Sequence, residues 1–153
     1  MTGREDKRDN DLFFVCSVIE YIGRKTKNSR CDAVRQLGNK EIVRLWELAD
    51  VLHCMPIEHI GDELIEKCQI AEGSFDNVAE CEHNVPTHFD IAKVYKRLIV
   101  AVSDAKGIPP VDALQEVYAS WISRKIDDYN SSMYFENPEY LFESYKAGEP
   151  IRD

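Results

Sequence analysis

Several sequence features that mark common protein classes are missing from this chain. No apolar run approaches the roughly 20 residues that a membrane-spanning helix needs, and no segment alternates as a strand does. The seven glycines never fall in a G-x-G-x-x-G or Walker spacing. The N-terminal sequence MTGREDKRDN lacks the apolar core of a signal peptide. These absences exclude the usual nucleotide-binding loops and predict a cytoplasmic protein that makes no contact with a membrane.

The chain also lacks basic charge and paired cysteines. Its 28 acidic residues outnumber 19 Lys and Arg, for a net charge of −9, whereas nucleic-acid affinity comes largely from neutralising phosphates. Nucleic acid is therefore an unfavoured partner. The five scattered cysteines are odd in number, which indicates reduced thiols in a cytosol rather than a disulfide framework. They are Cys16, Cys31, Cys54, Cys68 and Cys81.

Apolar residues recur at helical spacing along most of the chain, which predicts an all-α fold of six or seven helices with orthogonal or bundle-like packing. The stretch Asn39–Ile65 predicts two helices separated before Pro56, with Asn39 capping the first. Ser29 and Thr87 predict further helix starts, and glycines predict helix ends. The other predicted helices are Asp11–Lys25, Ser29–Gly38, Thr87–Lys106, Pro110–Tyr129 and Pro138–Gly148.

Turn-forming residues between the helices predict the domain organisation. We expect a disordered N-terminus over residues 1–10, an N-terminal helical half over 11–70 and a C-terminal helical half over 87–153. Residues 71–86 form the predicted connector, with room for one short helix near Phe75–Ala79. Whether the two halves share one core is left open.

Two regions are predicted partner-binding surfaces. The stretch Arg24–Arg44 concentrates basic residues in an acidic chain, and the C-terminal region is rich in tyrosine and phenylalanine, which combine apolar area with specific contacts. The basic stretch also suits a DNA-associated regulator. The predicted partner-binding residues are Arg24, Lys25, Lys27, Arg30, Arg35, Tyr134, Phe135, Tyr140 and Tyr145.

Other site chemistry has less support in the residue spacing. No cofactor or metal site is predicted; the nearest approach to a zinc ligand set is Cys68, Cys81, His83 and His88, which lack the paired spacing of zinc ligands. No catalytic residue is predicted. A helical enzyme stays open as an alternative, with its histidines in Cys81–Asp90 and its carboxylates in Asp127–Glu139.

The first 70 residues or so resemble a known kind of domain. The residues that carry the resemblance are Phe13–Cys16, Ile19–Tyr21, Leu48–His53, Ile60 and Asp62–Ile65. They resemble a small helical bacterial domain of unknown function that is encoded beside ADP-ribosyltransferase-like toxin candidates. The resemblance implies a bacterial protein with an accessory or antitoxin-like binding role, and it carries over no catalytic residue.

Together these features predict a non-enzymatic protein-interaction module of a bacterial cytosol, antitoxin-like or accessory to a toxin-like enzyme. A DNA-associated regulator and an uncharacterised helical enzyme are the alternatives. The sequence predicts no oligomeric state.

Overall fold

The computed structural model describes the backbone of residues 3–151 and the side chains of residues 7–151. Over this range the chain forms nine α-helices, one 3₁₀ turn at Met133–Phe135 and no strand, which confirms the all-α prediction. The helices are α1 Gly3–Thr26, α2 Arg30–Leu37, α3 Asn39–Glu47, α4 Ala49–Leu52, α5 Ile57–Lys67, α6 His88–Lys106, α7 Pro110–Ala119, α8 Trp121–Asp127 and α9 Pro138–Ala147. No helix in this range is both long and apolar enough to cross a membrane.

The predicted number of six or seven helices is too low because two predicted helices are broken. Leu48 interrupts the first with φ −102° and ψ 10°, separating α3 from α4. Ser120 interrupts the second with an extended backbone, and its hydroxyl donates to the carbonyl of Val117 at 2.7 Å. Serine competes in this way with helical hydrogen bonds, a local choice that apolar periodicity does not reveal.

Helix α1 begins at Gly3, well before the predicted start at Asp11. Met1 and Thr2 lie outside the described residues, but Gly3–Asn10, predicted to be disordered, is helical. Two charged side chains of this segment have partners on the folded chain: Lys7 Nζ lies 2.7 Å from Asp11, and Arg8 Nη1 lies 2.7 Å from Asp104. Such pairs extend a helix that its composition alone would leave frayed.

Helix α1 is the central element of the fold. It packs along α6 and α5 and also contacts α2, α3 and α4. Its residues Leu12, Val15 and Ile19 have no exposed surface. The buried apolar side chains form one cluster that draws on residues both before and after the predicted connector. At Gly61 of α5, an added Cβ would overlap the ring of Tyr21, so a glycine allows α5 to approach α1 closely.

The segment between α5 and α6 is irregular but well anchored. Residues 77–80 form turns in place of the short helix considered at Phe75–Ala79. The amide of Gly73 donates to Thr26 O at 2.8 Å, and that of Phe75 donates to Lys27 O at 2.9 Å. These bonds attach the segment to the end of α1.

Most predicted helix ends are confirmed. Ser29 accepts from the amide of Asp32, Thr87 and Asp90 form a complete capping box, and Gly107 ends α6 in the left-handed region. The predicted Asn39 cap is wrong. Gly38, with φ 85°, occupies the cap position, while Asn39 Oδ1 accepts from Gln115 Nε2 at 3.1 Å.

Candidate functional site

An open cavity of about 720 Å³ lies between α1 and the α4–α5 segment. We call it the α1–α5 groove. It lies where α4 ends at Leu52 and Pro56 redirects the chain before α5 begins. The groove is lined by Lys7, Asn10, Asp11, Phe13, Phe14, Ser17, Ala49, Asp50, His53, Met55, Pro56, Ile57, Glu58 and Phe89.

The groove follows α1 for almost three turns. Lys7, Asn10, Asp11, Phe14 and Ser17 all line it, which is the spacing of a single helix face. The rise of about 1.5 Å per residue makes this face about 15 Å long. The cavity therefore borders almost three turns of one helix.

The groove contains one exposed aromatic residue and several half-buried apolar side chains. Phe89 is 41% exposed, and its ring centroid lies 6.0 Å from that of the half-buried Phe13. Met55 and Ile57 on the other side are also half-buried. An exposed phenylalanine beside other apolar side chains is characteristic of a surface that a partner covers.

The beginning of α6 holds Phe89 in place. The Thr87–Asp90 capping box fixes the first turn of the helix, and the ring of His88 lies 4.2 Å from the Phe89 ring, centroid to centroid. Burial lowers the pKa of His88, with a further contribution from the positive charge of Arg24. The imidazole is therefore neutral at pH 7, which suits its position between Tyr21 and Phe89.

The rim of the groove is acidic. Asp11, Asp50 and Glu58 line it together with a single ammonium group, that of Lys7. Lys7 Nζ lies 2.7 Å from Asp11 Oδ2 and 3.1 Å from Asp50 Oδ1. Hydrogen bonds to these two carboxylates raise the pKa of Lys7. One positive charge thus faces three negative ones, and Glu58 is left without an ion-pair partner among the described side chains.

A second unusual feature is a buried polar cluster, in which Arg30 and Glu20 have no exposed surface. Arg30 Nε donates to Glu20 Oε1 at 2.9 Å, and Arg30 Nη1 donates to the carbonyl of Asn28 at 2.8 Å. Arg30 Nη2 lies 3.4 Å from Asn77 Oδ1 and 3.3 Å from the Tyr129 hydroxyl. Every nitrogen of the guanidinium has a partner, as a buried charge requires.

Asp127 completes the buried polar cluster from α8. Its Oδ2 accepts from the backbone amide of Arg30 at 3.0 Å, and its Oδ1 accepts from the Tyr95 hydroxyl at 2.9 Å. Burial raises the pKa of Asp127, and the charge of Arg30 opposes that shift. Burial likewise raises the pKa of Glu20 to about 7 against the opposing effect of Arg30. The cluster connects α1, α2, α6, α8 and the irregular segment.

The predicted basic surface is not a continuous patch. Arg30 lies inside the molecule, and a Cβ at Gly23 would overlap its side chain. Arg24 is half-buried and donates to the Pro86 carbonyl. Lys25 Nζ lies 2.6 Å from Asp62, and Arg35 Nη2 lies 2.7 Å from Asp32. Among the basic residues predicted to bind a partner, Lys27 alone has an exposed side chain with no ion pair to another described side chain.

The predicted aromatic surface is largely folded back on the protein. Tyr134, Tyr140 and Tyr145 are half-buried against the core, and only Phe135 is strongly exposed, at 67%. None of these residues lines the α1–α5 groove. They remain predicted contacts, separate from the groove.

The residues considered for metal binding and catalysis do not form a site in the described part of the chain. No group of three or more His, Cys, Asp or Glu there is placed to hold a metal ion. Cys68 contacts Leu37 O, Cys81 contacts His83 O, and His88 contacts aromatic rings. Asp127 borders a small cleft of about 310 Å³ with Asn130, but both of its carboxylate oxygens already accept buried hydrogen bonds.

The groove residues were not predicted from the sequence, because each of them, considered separately, resembles an ordinary core or surface residue. The one available signal was Phe89, an aromatic residue in the first turn of α6 that stands outside the apolar stripe beginning at Ile91. Its neighbours in the groove come from Phe13 and Met55, which are distant in the chain.

No protein-family model, no curated protein and no solved structure matches this chain. What the groove binds must therefore follow from its own shape, apolar area and charge.

Proposed function

We propose that this protein is a non-enzymatic interaction module whose α1–α5 groove binds a basic amphipathic helix of a protein partner. The observation that carries the proposal is the coincidence of exposed apolar side chains and an acidic rim in one groove. An amphipathic helix binds such a groove through apolar residues spaced i, i+3, i+4 and i+7. Lysine or arginine on the flanks of that helix would face Asp50 and Glu58.

The shape of the groove favours a helix over a small ligand. Small-molecule pockets of roughly 300–1,000 Å³ bury most of their ligand's surface, and the volume here falls within that range. This cavity, however, extends along about 15 Å of one helix face, which matches nearly three turns of a docked helix. The exposed Phe89 and the half-buried Met55 offer separate apolar contacts to such a helix.

The partner class follows from the resemblance of the first 70 residues. A domain encoded beside ADP-ribosyltransferase-like toxin candidates would act by occupying such an enzyme. The groove formed by α1, α4 and α5 lies within those 70 residues except for Phe89. The proposed role is therefore antitoxin-like, with the basic helix belonging to the toxin-like enzyme.

The DNA-regulator alternative is less well supported. Arg30 is buried, and Lys25 and Arg35 are ion-paired with carboxylates of the same chain. Phosphate binding would need these charges to be exposed and available.

Replacement of Phe89 tests the groove. A phenylalanine ring buries roughly 200 Å², so its 41% exposed fraction leaves about 80 Å² to be covered. At about 25 cal/mol per Å² this is worth about 2 kcal/mol. Phe89→Ala should therefore weaken binding by roughly tenfold or more, whereas Phe75→Ala, at an aromatic position that is 37% exposed and lies outside the groove, should not.

The measurement is fluorescence anisotropy with a labelled synthetic helix that carries Leu on one face and Lys on the other. A matched peptide with Glu in place of Lys reports the contribution of charge. Glu58→Gln should weaken binding of the Lys peptide, and Glu72→Gln, at an exposed acid outside the groove, should not. Equal binding of the two peptides, or equal loss in Phe89→Ala and Phe75→Ala, would contradict the proposal.

The antitoxin-like role has its own test. The protein is co-expressed with the product of each neighbouring gene in turn, and cell growth is measured. Where a neighbour is toxic, wild type and Phe75→Ala should restore growth, and Phe89→Ala should restore it less. Equal restoration of growth by all three proteins would show that neutralisation does not depend on the groove.

A further inference from the structure

Lys7 occupies the acidic rim of the α1–α5 groove in the free protein. Its ammonium group contacts Asp11 on its own helix at 2.7 Å and Asp50 on α4 at 3.1 Å. All three residues line the groove. Among the described side chains that line the groove, Lys7 is the one Lys or Arg, and it connects the two sides of the groove where a basic partner would place its own cation.

We infer that Lys7 competes with the partner's basic residue for Asp50, so that binding exchanges one cation for another. This inference rests on the proposed function. The chemistry recognised at Asp50 is then a lysine or arginine side chain on the flank of the docked helix.

The geometry makes this exchange easy. The side chains of Lys7 and Asp50 are 55% and 64% exposed, and an exposed ion pair contributes little to stability. Asp11 has only 10% of its side chain exposed and lies one turn beyond Lys7 on the same helix. When Asp50 turns to an incoming cation, Lys7 keeps Asp11 as its partner, so no buried carboxylate is left unpaired.

The Lys7–Asp50 contact lowers the affinity of the groove for its partner. Lys7 neutralises part of the charge of Asp50, so a partner's cation competes with Lys7 for this carboxylate, and weakly basic helices bind less well than they would without Lys7. A partner with several basic residues would overcome this competition more readily than one with a single lysine.

The test is a double-mutant cycle on Lys7 and Asp50 with the Leu–Lys helix, measured by anisotropy. Lys7→Met should tighten binding by about three- to fivefold, the range that an exposed ion pair supports. Asp50→Asn should weaken binding, since it removes the acceptor. In the Asp50→Asn background, Lys7→Met should give little further gain, because its competitor role has disappeared.

The cycle separates local exchange from a general effect of charge. If Lys7 acted only through the overall field, Lys7→Met would tighten binding equally in both backgrounds, and that result overturns the exchange. Unchanged binding by Lys7→Met, with binding still dependent on Phe89, also overturns the exchange but leaves the proposed function standing. No binding of the Leu–Lys helix by any variant overturns both. Circular dichroism of each variant verifies that α1 remains folded.

Discussion

Removal of the Arg30 guanidinium should destabilise the protein strongly. In Arg30→Met, Glu20 keeps only the Tyr118 hydroxyl, 3.3 Å from its Oε2, while its carboxylate stays fully buried. Asp127 is less affected, because it accepts from the Arg30 backbone amide and the Tyr95 hydroxyl, which the substitution retains. Breaking a buried ion pair from one side costs about 3–5 kcal/mol, and we expect a loss of that size at pH 7.

The pH dependence identifies the cause of the loss. Without Arg30, Glu20 should stay protonated in the folded state above pH 7, although it is ionised when unfolded. Each additional pH unit then costs the variant about 1.4 kcal/mol relative to wild type, because the folded variant holds one extra proton. The difference in the free energy of unfolding between the two proteins should therefore widen from pH 7 to pH 8.5.

The assay is urea unfolding followed by circular dichroism and by the fluorescence of Trp46 and Trp121. A double variant, Glu20→Met with Arg30→Met, serves as the control, since replacing both members of a buried pair by apolar residues is often neutral. It should recover much of the stability. A loss below about 1 kcal/mol in Arg30→Met, or a loss independent of pH, would refute the assignment of Arg30 as the counter-ion of Glu20.

Two further predictions concern stability. Burial raises the pKa of Glu20 from 4.5 to about 7, so between these pH values the folded state binds more protons than the unfolded state. The free energy of unfolding of the wild type should therefore fall as pH rises from about 4.5 to about 7. Glu20→Gln should reduce this dependence on pH, as measured by urea unfolding at several pH values. Thr87→Ala removes the capping box at the start of α6 and should cost about 1 kcal/mol, measured as a lower thermal midpoint, whereas Thr87→Ser keeps a capping hydroxyl and should retain most of that stability.

The positions of the helices were predictable from local sequence. Thr87 with Asp90, Ser29, Gly107 and Gly148 mark helix ends because each satisfies backbone groups within a few residues of itself. Helix breaks that occur without a proline or glycine were not predictable from the sequence. Leu48 and Ser120 divide helices whose apolar spacing continues past them, so periodicity alone does not reveal the breaks.

The residues of the candidate site were even less predictable from local sequence than the helix breaks. Arg30 was predicted to lie on a basic surface because its neighbours in the chain are basic. In the structure its side chain is hydrogen-bonded to Glu20 and Tyr129, and Gly23 leaves room for it. No local pattern distinguishes an exposed arginine from one whose counter-ion comes from another helix. His53 and Phe13 likewise became groove residues only when α4 and α1 came together.

The sequence by itself determined the all-α class, most helix ends and the apolar faces, because caps and helical periodicity act over one or two turns. The tertiary structure alone decided which charges are buried, which aromatic rings stay exposed and where a groove remains open. Those outcomes depend on contacts between residues far apart in the chain: Arg30 with Asp127, Phe13 with Phe89, and Lys7 with Asp50.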